Sequence, residues 1–251
     1  MKKIFYPLLI LTLLYLPVAH AKLPPEFQVV YQLNKFGMNA AQATVSLKQR
    51  EDGAWIYNSQ TKTKGVISIF RKDAITEQTE LKKIGQQFKP VEYQYIHKGS
   101  KKNRNRSIRF DWDSKLAYSE VSGKQASLNI KPDTIDSFYL QLKLMIDLMS
   151  GKRDLDYSII RKGEVENYQF EILGEETIET SAGDFKALKL KRTRKDSKRT
   201  TIMWMSPALH FLPVKMKHIE KDGTEFSLLL DRLSGGLAGT EYKTDISTET
   251  E

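Results

Sequence analysis

The chain has 251 residues, no cysteine, 10% aromatic and 28% charged residues, and a formal net charge of +9. That composition excludes a disordered or fibrous chain, and the length allows one large β domain or two small ones. The lack of cysteine excludes disulfides, thiolate metal ligands and a cysteine nucleophile.

Residues 1–21 read as a secretory signal peptide. Lys2 and Lys3 precede an apolar run from Ile4 to Leu16, and Ala19-His20-Ala21 is a small-x-small site with cleavage expected after Ala21. The run is too short for a membrane-spanning helix, and no cysteine near the cut allows lipid attachment. The expected product is a soluble periplasmic protein of a Gram-negative cell, with no transmembrane segment and about +7 of charge once Lys2 and Lys3 are gone. Export excludes nucleic acid as a partner. The anions left are lipopolysaccharide, acidic phospholipids, glucans and peptidoglycan carboxylates, and a solvated, solubilising surface explains the charge equally well.

From there the chain alternates with the period of half-buried strands. Ala41, Ala43, Val45 and Leu47 oppose Gln42, Thr44, Ser46 and Lys48. Asp52-Gly53 then turns the chain into Trp55-to-Thr63. Ser59 and Lys62 form the one Ser-x-x-Lys, but strand positions three apart face opposite ways, so the pair is chance. Val91, Tyr93 and Tyr95 share a face that His97 continues, and rings beside a titratable group suit a ligand groove as well as cross-strand packing. A first basic stretch follows, in which Lys102, Arg104 and Arg106 share one parity. Such a row suits phosphate or carboxylate binding at an exposed hairpin tip, or else a solvated edge that resists aggregation. Asp111 and Asp113 flank Trp112, a spacing compatible with paired carboxylates beside an aromatic platform. The competing reading has Asp113 shaping a hairpin turn and Asp111 pairing with Arg109 or Lys115.

Asp133-Thr134-Ile135-Asp136 offers a helix N-cap with an acid three residues on, and apolar residues continue to Met149 with a stop at Gly151. Leu140, Leu144 and Leu148 widen the apolar face until little is left for water, so this helix is expected to lie against or inside the sheet. Strands resume around the turns Ala182-Gly183-Asp184 and Asp222-Gly223, and a second basic stretch runs from Lys189 to Arg199. Outside the signal the histidines are His97, His210 and His218, without the spacing of paired metal ligands, so no metal site and no cofactor are expected. Ser234 to Glu251, rich in Gly, Thr, Ser and Glu, reads as a disordered tail, which leaves residues 22–233 as a single β-rich domain.

The turn Thr180-to-Ala187, the strand pattern Trp204-Met205-Ser206-Pro207 with Leu212-Pro213-Val214, and the earlier Gly65-to-Phe70, Lys89-to-Tyr93, Phe110-to-Trp112 and Asp136-to-Leu140 runs together resemble the DUF3108 family over residues 27–231. The resemblance implies an exported bacterial protein with a mainly β fold: a strongly curved antiparallel sheet, half-barrel or open barrel, with one apolar helix packed on it. It implies no catalytic residues. The function expected is non-catalytic binding of an apolar or anionic envelope ligand (lipid, lipopolysaccharide or glycan), with Lys102, Arg104, Arg106, Trp112 and Tyr95 as ligand contacts. The alternative is a hydrolase or lyase acting on an envelope glycan or peptidoglycan, with Asp111, His97 or Tyr93 as acid or base.

Overall fold

The computed structural model describes residues 22–64, 68, 73–99, 103–193 and 198–237. The expected signal, most of the Gly65-to-Phe70 run, Lys102, Arg194, Lys195 and residues 238–251 lie outside these.

Among the described residues, fifteen strands form one open, curved sheet. They are β1 (Phe27–Lys35), β2 (Met38–Gln49), β3 (Trp55–Thr63), β4 (Ala74–Ile84), β5 (Gln87–Lys98), β6 (Arg104–Asp111), β7 (Leu116–Val121), β8 (Lys124–Asn129), β9 (Ile135–Asp136), β10 (Leu155–Arg161), β11 (Glu164–Thr180), β12 (Gly183–Thr193), β13 (Thr200–Ser206), β14 (Leu212–Ile219) and β15 (Glu225–Gly235). The helix α1 (Tyr139–Met149) follows β9. The spatial order is β8-β7-β6-β5-β4-β3-β2-β1-β15-β14-β13-β12-β11-β10-β9, so two meanders of hairpins meet where β15 returns to pair with β1. Pairing is antiparallel throughout, except that β9 lies parallel to β10, Ile135 opposite Ile159.

The alternation in sequence becomes the two faces of this sheet. Ala41, Ala43, Val45 and Leu47 are buried while Gln42, Thr44 and Ser46 reach solvent. The buried side chains of nearly every strand join those of α1 in one core cluster, in which Tyr31, Tyr57, Leu81, Phe185, Leu142, Leu144 and Met145 are fully enclosed. Burying each such side chain contributes about 1.5–3 kcal/mol.

The sheet curls around α1 until strands far apart in its order face each other. Tyr57 of β3 stacks on Phe138 with ring centroids 4.4 Å apart and donates to Gln141 Oε1 at 3.2 Å. Tyr139 donates to the Phe88 carbonyl of β5 at 2.8 Å, and Thr79 of β4 donates to Asp136 Oδ1 at 3.1 Å. At the far rim the β10–β11 turn lies against the β7–β8 turn: a Cβ on Gly163 would sit 3.7 Å from Val121 Cγ2.

Two expected boundaries move. The helix expected from Asp133 begins only at Tyr139, because Ile135 and Asp136 are drawn into the sheet beside β10, and Lys131 to Thr134 form a turn closed by Thr134 N–H to the Lys131 carbonyl at 3.0 Å. Asp136, not Asp133, then satisfies the helix start, its Oδ1 accepting from the N–H groups of Phe138 and Tyr139 at 2.9 and 2.8 Å. The stop falls where expected, with Gly151 at φ +83° and its N–H on the Leu148 carbonyl at 3.1 Å. At the other boundary, β15 runs through Gly235, Gly236 N–H bonds the Glu26 carbonyl at 2.9 Å, and Leu237 is buried, so order extends past residue 233.

Candidate functional site

On β4, β5 and β6 the inward parity carries polar groups toward one end of the curl. Tyr93 is paired with Thr79 and Ile108, Tyr95 with Glu77 and Arg106, and His97 with Ile75 and Arg104. Leu81, Thr79, Tyr93, Ile108 and Phe110 are buried, and exposure increases toward Tyr95, His97, Arg106 and Arg104. Arg106 and Arg104 therefore continue the core face to its mouth, whereas an isolated solvated tip was the expected setting. The Arg106 guanidinium lies 4.5 Å over the Tyr95 ring.

Beneath α1 this mouth leads into a cavity of about 230 Å³. Phe138, Leu140 and Leu144 line it from the helix side, Phe170, Met203 and Met216 from the sheet, and the polar groups Glu77, Arg161, Tyr168, Arg192 and Thr201 complete the wall. The strands explain the mixture. Thr201 and Met203 alternate inward on β13 and Tyr168 and Phe170 on β11, whereas Arg161 and Arg192 stand near strand ends, where long side chains reach back over the opening.

Cations gather around this opening. Arg192 lies 4.6 Å over the Tyr168 ring, Tyr168 donates to Glu166 Oε2 at 3.0 Å, and Arg161 stands 3.8 Å from Glu166 Oε1. The Lys162 ammonium is held below its ordinary pKa, first by Arg161 beside it, then by burial, and also by Arg106 and Arg199. Arg106 from the first basic stretch and Arg192 and Arg199 from the second thus come together with Arg161 and Lys162 on one rim. His218 donates to or accepts from Thr201 Oγ1 at 2.8 Å, and its pKa is lowered by burial and then by Arg192.

One acid faces this charge from inside. Tyr93 donates to Glu77 Oε1 at 2.8 Å, and Glu77's pKa is raised by burial against the lowering effects of Tyr93 and Arg106. Farther in, burial raises Asp136 to about 7, despite its hydrogen bonds from Tyr139, Phe138 and Thr79, and the charge of Glu77 adds to the rise. Asp136 Oδ2 has no hydrogen-bond partner.

The residues singled out in the sequence separate into two places. Tyr93, Tyr95, His97, Arg104 and Arg106 share the inward mouth. Tyr93 is a buried donor whose ionisation burial opposes strongly, and His97 Nε2 stands 3.5 Å from Asp73 Oδ1 without a hydrogen bond. Asp111 and, just past it, Trp112 lie at the other end of β6, about 23 to 26 Å from Arg104 at some 3.3 Å per residue. There Asp111 accepts from the Ser114 N–H at 3.1 Å, and that bond is the leading cause of its lowered pKa. The turn role expected of Asp113 belongs to Asp111. Trp112 stacks on Phe110 at 5.6 Å, donates to the Pro90 carbonyl at 2.8 Å and lies under the Lys89 ammonium at 4.4 Å. Asp111 also faces the opposite side of the sheet from Tyr93, so the three acid–base candidates do not meet. Among the described residues no group of three or more His, Asp or Glu side chains is arranged to hold a metal ion.

Sequence reasoning missed Glu77, Arg161 and the cavity methionines. Glu77 carries a legible signal, since it stands on the parity of Ile75, Thr79 and Leu81 and so puts an acid on an inward face. Arg161 carries none, because only the curl of the sheet brings it to the mouth.

A family model described as "Protein of unknown function (DUF3108)" matches residues 26–231. Among curated proteins none matches the sequence. Among solved structures the chain is similar to the beta-barrel-like protein of domain of unknown function DUF1849 from Brucella abortus, with TM-score 0.55 and 8% identity over 85% of this chain and 99% of that one. It is also similar to a chain of the Pseudomonas aeruginosa MucA/MucB complex, with TM-score 0.34 and 12% identity over 87% of this chain and 54% of that one, so it spans about half of that length. The first likeness is one of fold alone, and the second carries no further weight.

Proposed function

The chain belongs to the DUF3108 family, described as of unknown function, so its role is read from its own cavity, and we propose that it is a non-catalytic periplasmic protein that binds an anionic amphiphile of the cell envelope. The observation that carries this reading is the cavity beneath α1, with an apolar lining from Phe138, Leu140, Leu144, Phe170, Met203 and Met216 and the cations Arg161 and Arg192 at its opening. An apolar chain gains by leaving water for such a lining, and a phosphate or carboxylate head suits a pair of guanidinium groups, of which Arg192 is held over the Tyr168 ring. At about 230 Å³ the space lies below the usual range of about 300–1,000 Å³ for drug-sized ligands. It suits one short chain, or the end of a longer one, and a whole lipid would require α1 to move.

The export signal in residues 1–21 supports the location, and the lipids and lipopolysaccharide of that compartment supply the chemistry. A non-catalytic role is favoured over envelope hydrolysis because Asp111 lies on the outer face at the far end of β6 from the cationic rim. No cofactor enters this reading.

The test is a fluorescence titration with cis-parinaric acid, a fluorescent fatty acid, on protein recovered from a periplasmic extract. Saturable uptake is expected, with affinity falling about tenfold when Arg161 and Arg192 are both changed to Gln, since two charge-assisted contacts are lost. Absence of saturable uptake, or equal affinity in the double variant, overturns the reading.

A further inference from the structure

The β1–β2 hairpin turns through Phe36 and Gly37, both in the left-handed region at φ +51° and +76°. A two-residue turn of this kind takes Asn or Asp before Gly, because a short polar side chain tolerates that backbone and meets water. Here the position holds Phe, and Met38 follows. Both side chains are 65% exposed, more than any other large apolar residue among those described. A strained, solvated phenylalanine is the wrong residue for a turn that only has to turn.

The surroundings of this tip are cationic. Lys35 holds its ammonium 5.4 Å from the Phe36 ring centre and 5.3 Å from that of Phe226. With Arg199 and Lys221 it lines a surface depression that also holds Glu220 and Asp222. Those two acids are engaged within the fold: Glu220 pairs with Arg199 at 2.5 Å, and Asp222 accepts from Thr224 N–H at 3.0 Å. Arg199 in turn is near enough to help depress the pKa of Lys162 at the cavity mouth. An apolar tip and a cationic rim thus stand at the same end of the sheet.

We propose that this end docks on the surface of an anionic lipid bilayer. Phe36 and Met38 enter the boundary between headgroups and acyl chains, and Lys35, Lys221 and Lys162 face the headgroup phosphates. Charge complementarity selects this occupant, since an apolar protein partner would not call for the cations. Docking in this way turns the cavity mouth toward lipid, although the surface stands whether or not the cavity binds a ligand.

The experiment is co-sedimentation of the periplasm-derived protein with phosphatidylglycerol vesicles and with phosphatidylcholine vesicles, alongside the double variant Phe36→Asn, Met38→Ser. Asn suits the backbone at position 36, so the variant is expected to melt at or above the wild-type temperature. The wild type is expected to partition onto phosphatidylglycerol at least several-fold better than onto phosphatidylcholine, and to be released as salt rises from about 0.05 M to about 0.5 M. The variant is expected to partition at least about tenfold less, because two large apolar side chains no longer enter the interface. Wild-type protein that does not bind phosphatidylglycerol, or a variant that binds as well as wild type, overturns the docking surface. The cis-parinaric titration without vesicles separates the two proposals. Uptake kept by a variant that has lost vesicle binding supports docking at the tip, whereas loss of both by the variant overturns it. Vesicle binding by a wild type that takes up no probe leaves docking standing and removes only the cavity reading.

Discussion

Arg106 and Arg109 stand three residues apart on β6, and each lays its guanidinium over a tyrosine ring, at 4.5 Å over Tyr95 and 4.4 Å over Tyr118. They face opposite sides of the sheet. Arg109 lines an outer groove of about 430 Å³ with Glu92, Glu120 and a set of serines, where acids match the cation and Tyr118 is 38% exposed. Arg106 looks into the curl, toward the buried carboxyl of Glu77 and the crowded cations at the cavity mouth. The outer groove is the larger of the two. Size therefore does not choose the site; the concave face does, because of the two it is the one that joins an apolar lining to two arginines.

The comparison breaks most forcefully at Asp136, the residue that ties the curl together on its inner side. Asp136→Ala removes the acceptor for Phe138, Tyr139 and Thr79, and is expected to cost about 2–4 kcal/mol in urea unfolding, whereas Asp136→Asn keeps the acceptor and costs less than half as much. An alanine variant within about 0.5 kcal/mol of wild type would show that the inner face does not depend on this link.

The same residue sets a pH dependence. Its folded pKa of about 7 lies above the ordinary value of 3.8. The folded protein thus holds a proton that the unfolded chain releases, and the stabilisation is full below about pH 4, declines as pH rises through about 7, and is flat beyond. Glu77, raised in the same direction, adds to the slope. The exposed acids whose pKa values are lowered, such as Asp52 at about 2, act only at lower pH. His218, whose pKa is lowered by burial and Arg192, works the other way, adding stability as pH rises towards 6.5. Unfolding free energies from urea titrations between about pH 5 and pH 8 are therefore expected to fall more steeply with pH in wild type than in Asp136→Asn, by up to a few kcal/mol. A wild-type profile with the same slope as that of Asp136→Asn would contradict the burial assigned to Asp136.

The smallest effects separate the two arginines themselves. Arg106→Gln leaves Glu77 without its nearby cation and is expected to weaken cis-parinaric uptake about threefold and to cost about 1 kcal/mol, whereas Arg109→Gln leaves uptake unchanged and stability within about 0.5 kcal/mol. Equal responses at the two positions would remove the distinction between the faces.

Much of the fold was legible because it is local. Alternation from Ala41 to Leu47, the Asp52-Gly53 and Asp222-Gly223 turns, and the stop at Gly151 are short-range matters of period two and of positive φ. The helix start was not legible, since Asp133 and Asp136 are equally good caps by spacing. Only the pairing of Ile135 with Ile159 and the bond from Thr79 decide between them, and both come from distant strands. The site was half legible for the same reason. Parity placed Tyr93, Tyr95 and His97 on one face and gave Arg104 and Arg106 a common parity of their own. Only the register of β5 with β6 puts the two rows on the same side, and Glu77, Arg161 and Arg192 meet only after β10 to β13 curl back over α1. Asp111 stayed open to two readings because an acid at a strand end serves a turn as readily as a reaction.

The central claim, that the cavity under α1 holds an anionic amphiphile, is tested most directly by native mass spectrometry of the protein drawn gently from the periplasm, wild type beside a Met216→Trp variant that fills the cavity with an indole. The wild type should carry a non-covalent adduct that organic extraction releases as an anionic lipid or fatty acid, and the variant, with an unchanged circular dichroism spectrum, should carry none. A wild type without any adduct that also takes up no cis-parinaric acid, or an adduct undiminished in Met216→Trp, would contradict it.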